Sequence, residues 1–131
     1  MENAPMVWPA IRYKDALAAI RFLGEAFGFT EAVVVPGQDE GVVEHAELRW
    51  PLGGGVMVGS TRYDEGVHGE LPAGSASVYV VTDEPDALFA RAAAAGAEVV
   101  AGLKDEDYGS RSFTVRDPEG NYWSFGTYRG A

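Results

Sequence analysis

One order of elements occurs twice along this chain: a strand, a helix, then three strands. In the first half, Met6 to Tyr13 reads as a strand, with Val7, Ile11 and Tyr13 on one face and Trp8, Ala10 and Arg12 on the other. Pro9 has no N–H to give to a ladder, which places this strand at an edge or gives it a bulge. Asp15 is positioned to cap a helix from about Ala16 to Phe27, with Leu17, Ile20, Gly24 and Phe27 as its expected buried stripe, Leu23 beside it, and Gly28 as its stop. Strands follow at Thr30 to Val35, Val42 to Trp50 and Val56 to Ser60. In the second half, Ser75 to Thr82 reads as a strand and Asp83-Glu84-Pro85 opens a helix that Gly96 stops. Leu88, Phe89, Ala92 and Ala95 form the inward stripe of that helix. Glu98 to Ala101 is a strand, 102–109 a polar loop, and a hairpin closes the chain. The two helix starts even share wording, Asp15-Ala-Leu17 and Asp86-Ala-Leu88. Such a repeat limits the fold to two tandem βαβββ modules, an α+β protein whose curved mixed sheets surround a concave cavity with the helices on the convex side. Module 1 covers about 5–60, a linker about 61–74, and module 2 about 75–128.

The closing hairpin is the most sharply written stretch. Ser112-Phe-Thr-Val-Arg116 and Tyr122-Trp-Ser-Phe125 alternate at period two, and Asp117-Pro-Glu-Gly-Asn121 between them is a turn. Pro118 presets φ at the first corner, Gly120 tolerates positive φ, and Asp117 can accept hydrogen bonds from the backbone ahead of it.

Composition narrows the function classes. The chain has 131 residues, enough for one domain with a real core, and 47% of them are apolar. It has no cysteine, which removes disulfides, thiolate metal sites and a cysteine nucleophile and agrees with a cytoplasmic location. No apolar run approaches the roughly twenty residues of a membrane span, and the start of the chain lacks the pattern of a signal peptide. A formal net charge of −10 repels phosphate backbones, so nucleic acid is not an expected partner. The same charge either keeps the protein soluble or draws in cationic small molecules.

The duplicated order, Arg12-Tyr-Lys-Asp-Ala-Leu-Ala-Ala-Ile-Arg-Phe-Leu23, Phe27-Gly-Phe29, Tyr108-Gly-Ser-Arg111 and the Asp117–Phe125 hairpin together resemble the vicinal oxygen chelate superfamily. That group includes glyoxalase I, extradiol dioxygenases and the bleomycin-resistance binding proteins. The resemblance covers nearly the whole chain and speaks for fold more than activity, because one scaffold carries several chemistries. It implies four metal-ligand positions, one each from the first and fourth strands of each module, filled in the enzymes by His, Glu or Gln. Carried onto this sequence, those positions are Trp8, Met57, Ser77 and Ser124. None is a usual ligand for a catalytic divalent ion, so no metal and no cofactor are expected. Instead Trp8, Met57, Tyr79 and Tyr122 offer aromatic and soft surface, Ser77 and Ser124 offer hydroxyls, and Arg12, His45, Glu47 and Arg49 are placed to fix orientation. These ten either line a ligand site or fill a sheet interior or dimer seam.

His45 and Glu47 share a strand face at i, i+2, as an acid–base pair would, or as a hydrogen-bonded surface pair does. His68 lies in the linker and reaches a site only if that loop folds over. No serine sits in a nucleophile elbow, and Gly53-Gly-Gly55 lacks the Lys and Ser/Thr of a phosphate loop. Two functions are therefore expected to compete. One is a metal-independent protein that binds a small aromatic or amphipathic molecule, such as an antibiotic, as a homodimer. The other is a glyoxalase-like lyase or isomerase, or a dioxygenase, with non-standard catalytic residues in which His45 or Glu47 serves as base.

Overall fold

A computed structural model describes residues 6–61 and 72–131. His68 and most of the linker lie outside the described residues. The duplicated order is present. The first module is β1 (Ala10–Tyr13), α1 (Ala16–Phe22), a π-helical turn (Leu23–Phe27), β2 (Thr30–Pro36), β3 (Val43–Arg49) and β4 (Gly55–Ser60). The second is β5 (Ser77–Val81), α2 (Pro85–Ala94), β6 (Glu98–Asp105), β7 (Arg111–Arg116) and β8 (Tyr122–Gly126). Each module makes a four-stranded sheet, in the orders β1-β4-β3-β2 and β5-β8-β7-β6. In each sheet the first strand pairs parallel to the last, and the other pairs are antiparallel.

Period-two alternation sets the two faces. Ile11, Tyr13, Leu48, Val56 and Val58 are buried toward α1, and Val80, Phe113, Val115, Trp123 and Phe125 toward α2. The two buried faces merge into one core, because Phe27 of the first module packs 4.7 Å from Phe125 and 5.4 Å from Trp123 of the second. Two further joints are related by the duplication. Trp50, one residue after β3, donates its indole N–H to the Val81 carbonyl at the end of β5 (2.8 Å). Asp117, one residue after β7, accepts the Tyr13 hydroxyl at the end of β1 (2.5 Å). Glu119 adds to the second joint by taking the backbone N–H groups of Lys14 (2.7 Å) and Asp15 (2.8 Å) ahead of α1.

Several local expectations change. The first strand starts at Ala10, so Trp8 lies before it and Val7 is exposed, although the Met57 N–H still bonds the Pro9 carbonyl (2.9 Å). Asp15 does cap α1, accepting the Ala18 N–H at 3.1 Å, and Gly28 ends the helical stretch with φ at 96°. Ile20, Leu23 and Phe27 of the expected stripe are buried, but Leu17 is exposed and Ala16, Ala19 and Ala26 complete the inward face at steps of three and four residues, which puts Leu17 one position out of phase. Ala95 is exposed beyond the end of α2. β6 runs on through residues expected to be loop, and β2 and β6, the outer edges, are exposed along nearly their whole length.

Candidate functional site

The faces of the two sheets that point away from the helices carry most of the polar candidates. On the first sheet, strand register sets Ala10, Met57, Glu47 and Val33 in one row across the four strands. Arg12 and Gly59 are neighbours in the next row, and a hollow of about 190 Å3 there is lined by Arg12, Glu44, His45 and Met57 among others. In the row at the other end, Gly55 pairs with Arg49 and Arg49 with Thr30. Gly55 has no side chain, and a Cβ there would lie 2.1 Å from the Leu48 carbonyl oxygen and 3.0 Å from the Trp8 ring, so the backbone of β3 excludes a side chain at this point and the indole lies close by. The Arg49 guanidinium stands over that ring, 5.4 Å from its centroid. His45 Nε2 and Glu47 Oε2 are 2.8 Å apart, with both side chains partly exposed. The Arg12 guanidinium donates to the Ser60 carbonyl (3.0 Å).

On the second sheet the equivalent rows are Ser77, Tyr122, Arg116 and Glu98, then Tyr79, Ser124, Thr114 and Ala101. Ser124 and Thr114 share a hydroxyl–hydroxyl hydrogen bond of 2.8 Å. Arg116 stacks over the Tyr122 ring at 4.9 Å and donates to the Tyr122 hydroxyl (2.6 Å) and to Glu98 (3.0 Å). Those two partners, Tyr122 first, hold the Arg116 guanidinium above its ordinary pKa. The Tyr79 hydroxyl donates to the Tyr128 carbonyl (2.7 Å), and partial desolvation raises its pKa. At the seam between the modules, a cavity of about 420 Å3 is lined by Val7, Phe29, Trp50, Leu52, Tyr79, Val81 and Arg129, with other residues of 53–56 and 78–80. Of the ten sequence candidates this cavity takes Tyr79, and the hollow on the first sheet takes Arg12, His45 and Met57. Trp8, Glu47, Arg49, Ser77, Tyr122 and Ser124 line neither.

Four residues escaped the sequence reading: Arg116, Thr114 and Gly55 on the open faces and Arg129 at the seam cavity. Arg116 had a signal. Arg49-Trp-Pro-Leu-Gly53 and Arg116-Asp-Pro-Glu-Gly120 repeat Arg-x-Pro-x-Gly at the same place in each module. The other three depend on strand register or on how the chain end folds back, and no local pattern marks them.

A family model described as the Glyoxalase/Bleomycin resistance protein/Dioxygenase superfamily matches residues 6–125. The chain belongs to this superfamily. Among proteins similar to this glyoxalase/bleomycin resistance-type chain are uncharacterized proteins of Mycobacterium bovis and Mycobacterium tuberculosis. Each is 34% identical over 128 residues, covering 93% of this chain and 82% and 74% of theirs. Among solved structures, TioX from Micromonospora sp. ML1 is 32% identical, with a TM-score of 0.76 over 92% of this chain and 98% of that one. A glyoxalase/bleomycin resistance protein from Streptomyces sp. CB03234 is 25% identical, with a TM-score of 0.66 over 88% of this chain and 94% of that one.

The divalent ion used by the superfamily's enzymes does not suit the residues here. The donors at the four positions are an indole ring, a thioether and two hydroxyls, and the Ser124 hydroxyl is already bonded to Thr114. Among the described residues, no three His, Asp or Glu side chains are grouped so as to hold an ion. His45 and Glu47 supply two such groups, and those bond each other. Among the described residues, no helix is long and apolar enough to cross a membrane.

Proposed function

We propose that this protein is a metal-independent binder of a flat aromatic or amphipathic small molecule, such as an antibiotic, on the open faces of its sheets. What carries the reading is the donor set: Trp8, Met57, Ser77 and Ser124, an indole, a thioether and two hydroxyls, at the positions the family resemblance assigns to metal ligands. Aromatic and hydroxyl side chains with a few charged groups suit recognition of such a molecule rather than Lewis-acid chemistry. The likeness to the Streptomyces glyoxalase/bleomycin resistance protein supports the same choice. In this reading the protein works as a cytoplasmic homodimer, with a second copy completing the open crevices, and requires no cofactor. The test is a panel of aromatic antibiotics followed by tryptophan fluorescence and thermal unfolding. A ligand at a hundred times its Kd should stabilise the fold by about 2.7 kcal/mol. A panel that leaves both fluorescence and melting unchanged contradicts the proposal.

One observation favours a second reading, an enzyme of the lyase, isomerase or dioxygenase type with unusual catalytic residues. The 2.8 Å contact between His45 and Glu47 on the open face is the geometry of a base and its orienting carboxylate. Replacing His45 by Ala separates the two readings. A binder keeps its ligand, whereas an enzyme of this kind loses turnover.

A further inference from the structure

The duplication allows one half of the molecule to be compared with the other. Arg49 and Arg116 occupy equivalent positions, each last in its strand and each stacked on an aromatic ring of the open face. A stacked guanidinium keeps its in-plane N–H groups free to meet a carboxylate, and stacking fixes their direction. Arg116 uses them that way: Glu98 stands directly across on the neighbouring edge strand and takes a 3.0 Å hydrogen bond. The residue directly across from Arg49 is Thr30, which has no carboxylate. Among the described residues, Arg49 makes no ion pair within 4 Å.

We infer that the Arg49–Trp8 stack is an anion clamp, receiving the carboxylate of a flat aromatic acid in the role that Glu98 fills for Arg116. The ligand body then extends toward Met57 and Ala10, the β1 end of the row, away from Glu47, which is bonded to His45. Whole-chain charge argues for a cationic ligand, but that charge is distributed elsewhere. On the open faces Glu98 is tied to Arg116, Glu106 to Ser112 and Lys104, and Glu47 to His45, while Arg12 and Arg49 have no carboxylate partner among the described residues. Pairing at contact distance outweighs a long-range field that salt screens within about 10 Å.

This inference rests on the binding reading above and specifies its ligand class. The test uses 2-naphthoate, neutral 2-naphthamide and the 2-naphthylmethylammonium cation, each titrated against tryptophan fluorescence and checked by calorimetry. The clamp predicts that naphthoate binds about two- to fivefold tighter than the amide, the effect of one exposed ion pair. It predicts that Arg49→Gln removes this preference while leaving amide affinity within about twofold. Thr30→Glu supplies an internal carboxylate like Glu98 and should suppress naphthoate binding without weakening the cation. Thr30 is exposed at a sheet edge, so this second variant is readable even if Arg49→Gln folds poorly. Equal affinity of acid and amide, or an acid preference that survives Arg49→Gln, overturns the clamp and leaves the binding reading standing. Failure of all three probes to bind the wild type overturns the clamp and counts against the binding reading as well.

Discussion

The buried carboxylate of Asp117 gives the most quantitative test of how the two modules are held together. Its Oδ2 accepts the Tyr13 hydroxyl, the Asn121 side-chain N–H (3.1 Å) and the Trp123 indole N–H (3.0 Å), and its Oδ1 accepts the backbone N–H groups of Glu119 (3.0 Å) and Asn121 (3.1 Å). Asp117→Asn keeps the shape and the Oδ1 acceptor but puts an N–H₂ group where Oδ2 stood. The Tyr13 hydroxyl can rotate and accept from that group. The indole N–H cannot, and the Asn121 amide is held the other way round because its oxygen accepts the Ala76 N–H (2.9 Å). The indole N–H is left without an acceptor at about 1–3 kcal/mol, and the Asn121 amide keeps only its weaker 3.4 Å bond to Oδ1, so the variant should lose about 1–4 kcal/mol. That is a large part of the roughly 5–15 kcal/mol typical of a domain. Equilibrium urea unfolding followed by tryptophan fluorescence reads the loss as a lower midpoint at an unchanged slope. Asp107→Asn, on an exposed turn, serves as the control and should stay within about 0.5 kcal/mol. A loss below about 1 kcal/mol for Asp117→Asn refutes the role given to this carboxylate.

Tyr13→Phe removes one donor from the same cluster and should cost about 1–2 kcal/mol near neutral pH. Burial, and then the Asp117 carboxylate, raise the Tyr13 pKa, so the folded chain keeps a proton that the unfolded chain releases above about pH 10. Stability from this group is therefore whole below pH 10 and falls above it, by up to about 1.4 kcal/mol per pH unit. The gap between wild type and Tyr13→Phe should narrow between about pH 9 and 11, and urea midpoints at both ends check it. Trp50→Phe keeps an aromatic ring beside Phe29 but drops the bond to Val81, and should cost about 1–2 kcal/mol in the same assay.

The duplicated order was legible because period-two alternation and helical spacing switch at the same points in both halves, and because Asp15, Gly28 and the Asp117–Asn121 turn carry their own local chemistry. The buried stripe of the first helix was legible at Ile20, Leu23 and Phe27 but not at its start, where small Ala16 takes the inward position and the larger Leu17 faces out. Val33, Val34 and Val35 read as a strand and are one, yet stand exposed, since β-branched composition reports strand character and not how much of the edge is covered. The candidate site divides in the same manner. Trp8, Met57, Ser77 and Ser124 follow from motif spacing in the superfamily. The stacks of Arg49 on Trp8 and of Arg116 on Tyr122 follow from register between strands distant in sequence. The difference between Thr30 and Glu98, on which the anion clamp rests, appears only when one edge strand is set beside its duplicate.

The account stands on a set of side chains ill suited to hold a divalent ion where related enzymes hold one. Elemental analysis of protein purified without chelator addresses that directly. The predicted result is that zinc, nickel, iron and manganese all remain far below one per chain. A stoichiometric amount of any one of them, lost when the positions of Trp8, Met57, Ser77 and Ser124 are altered, would contradict it.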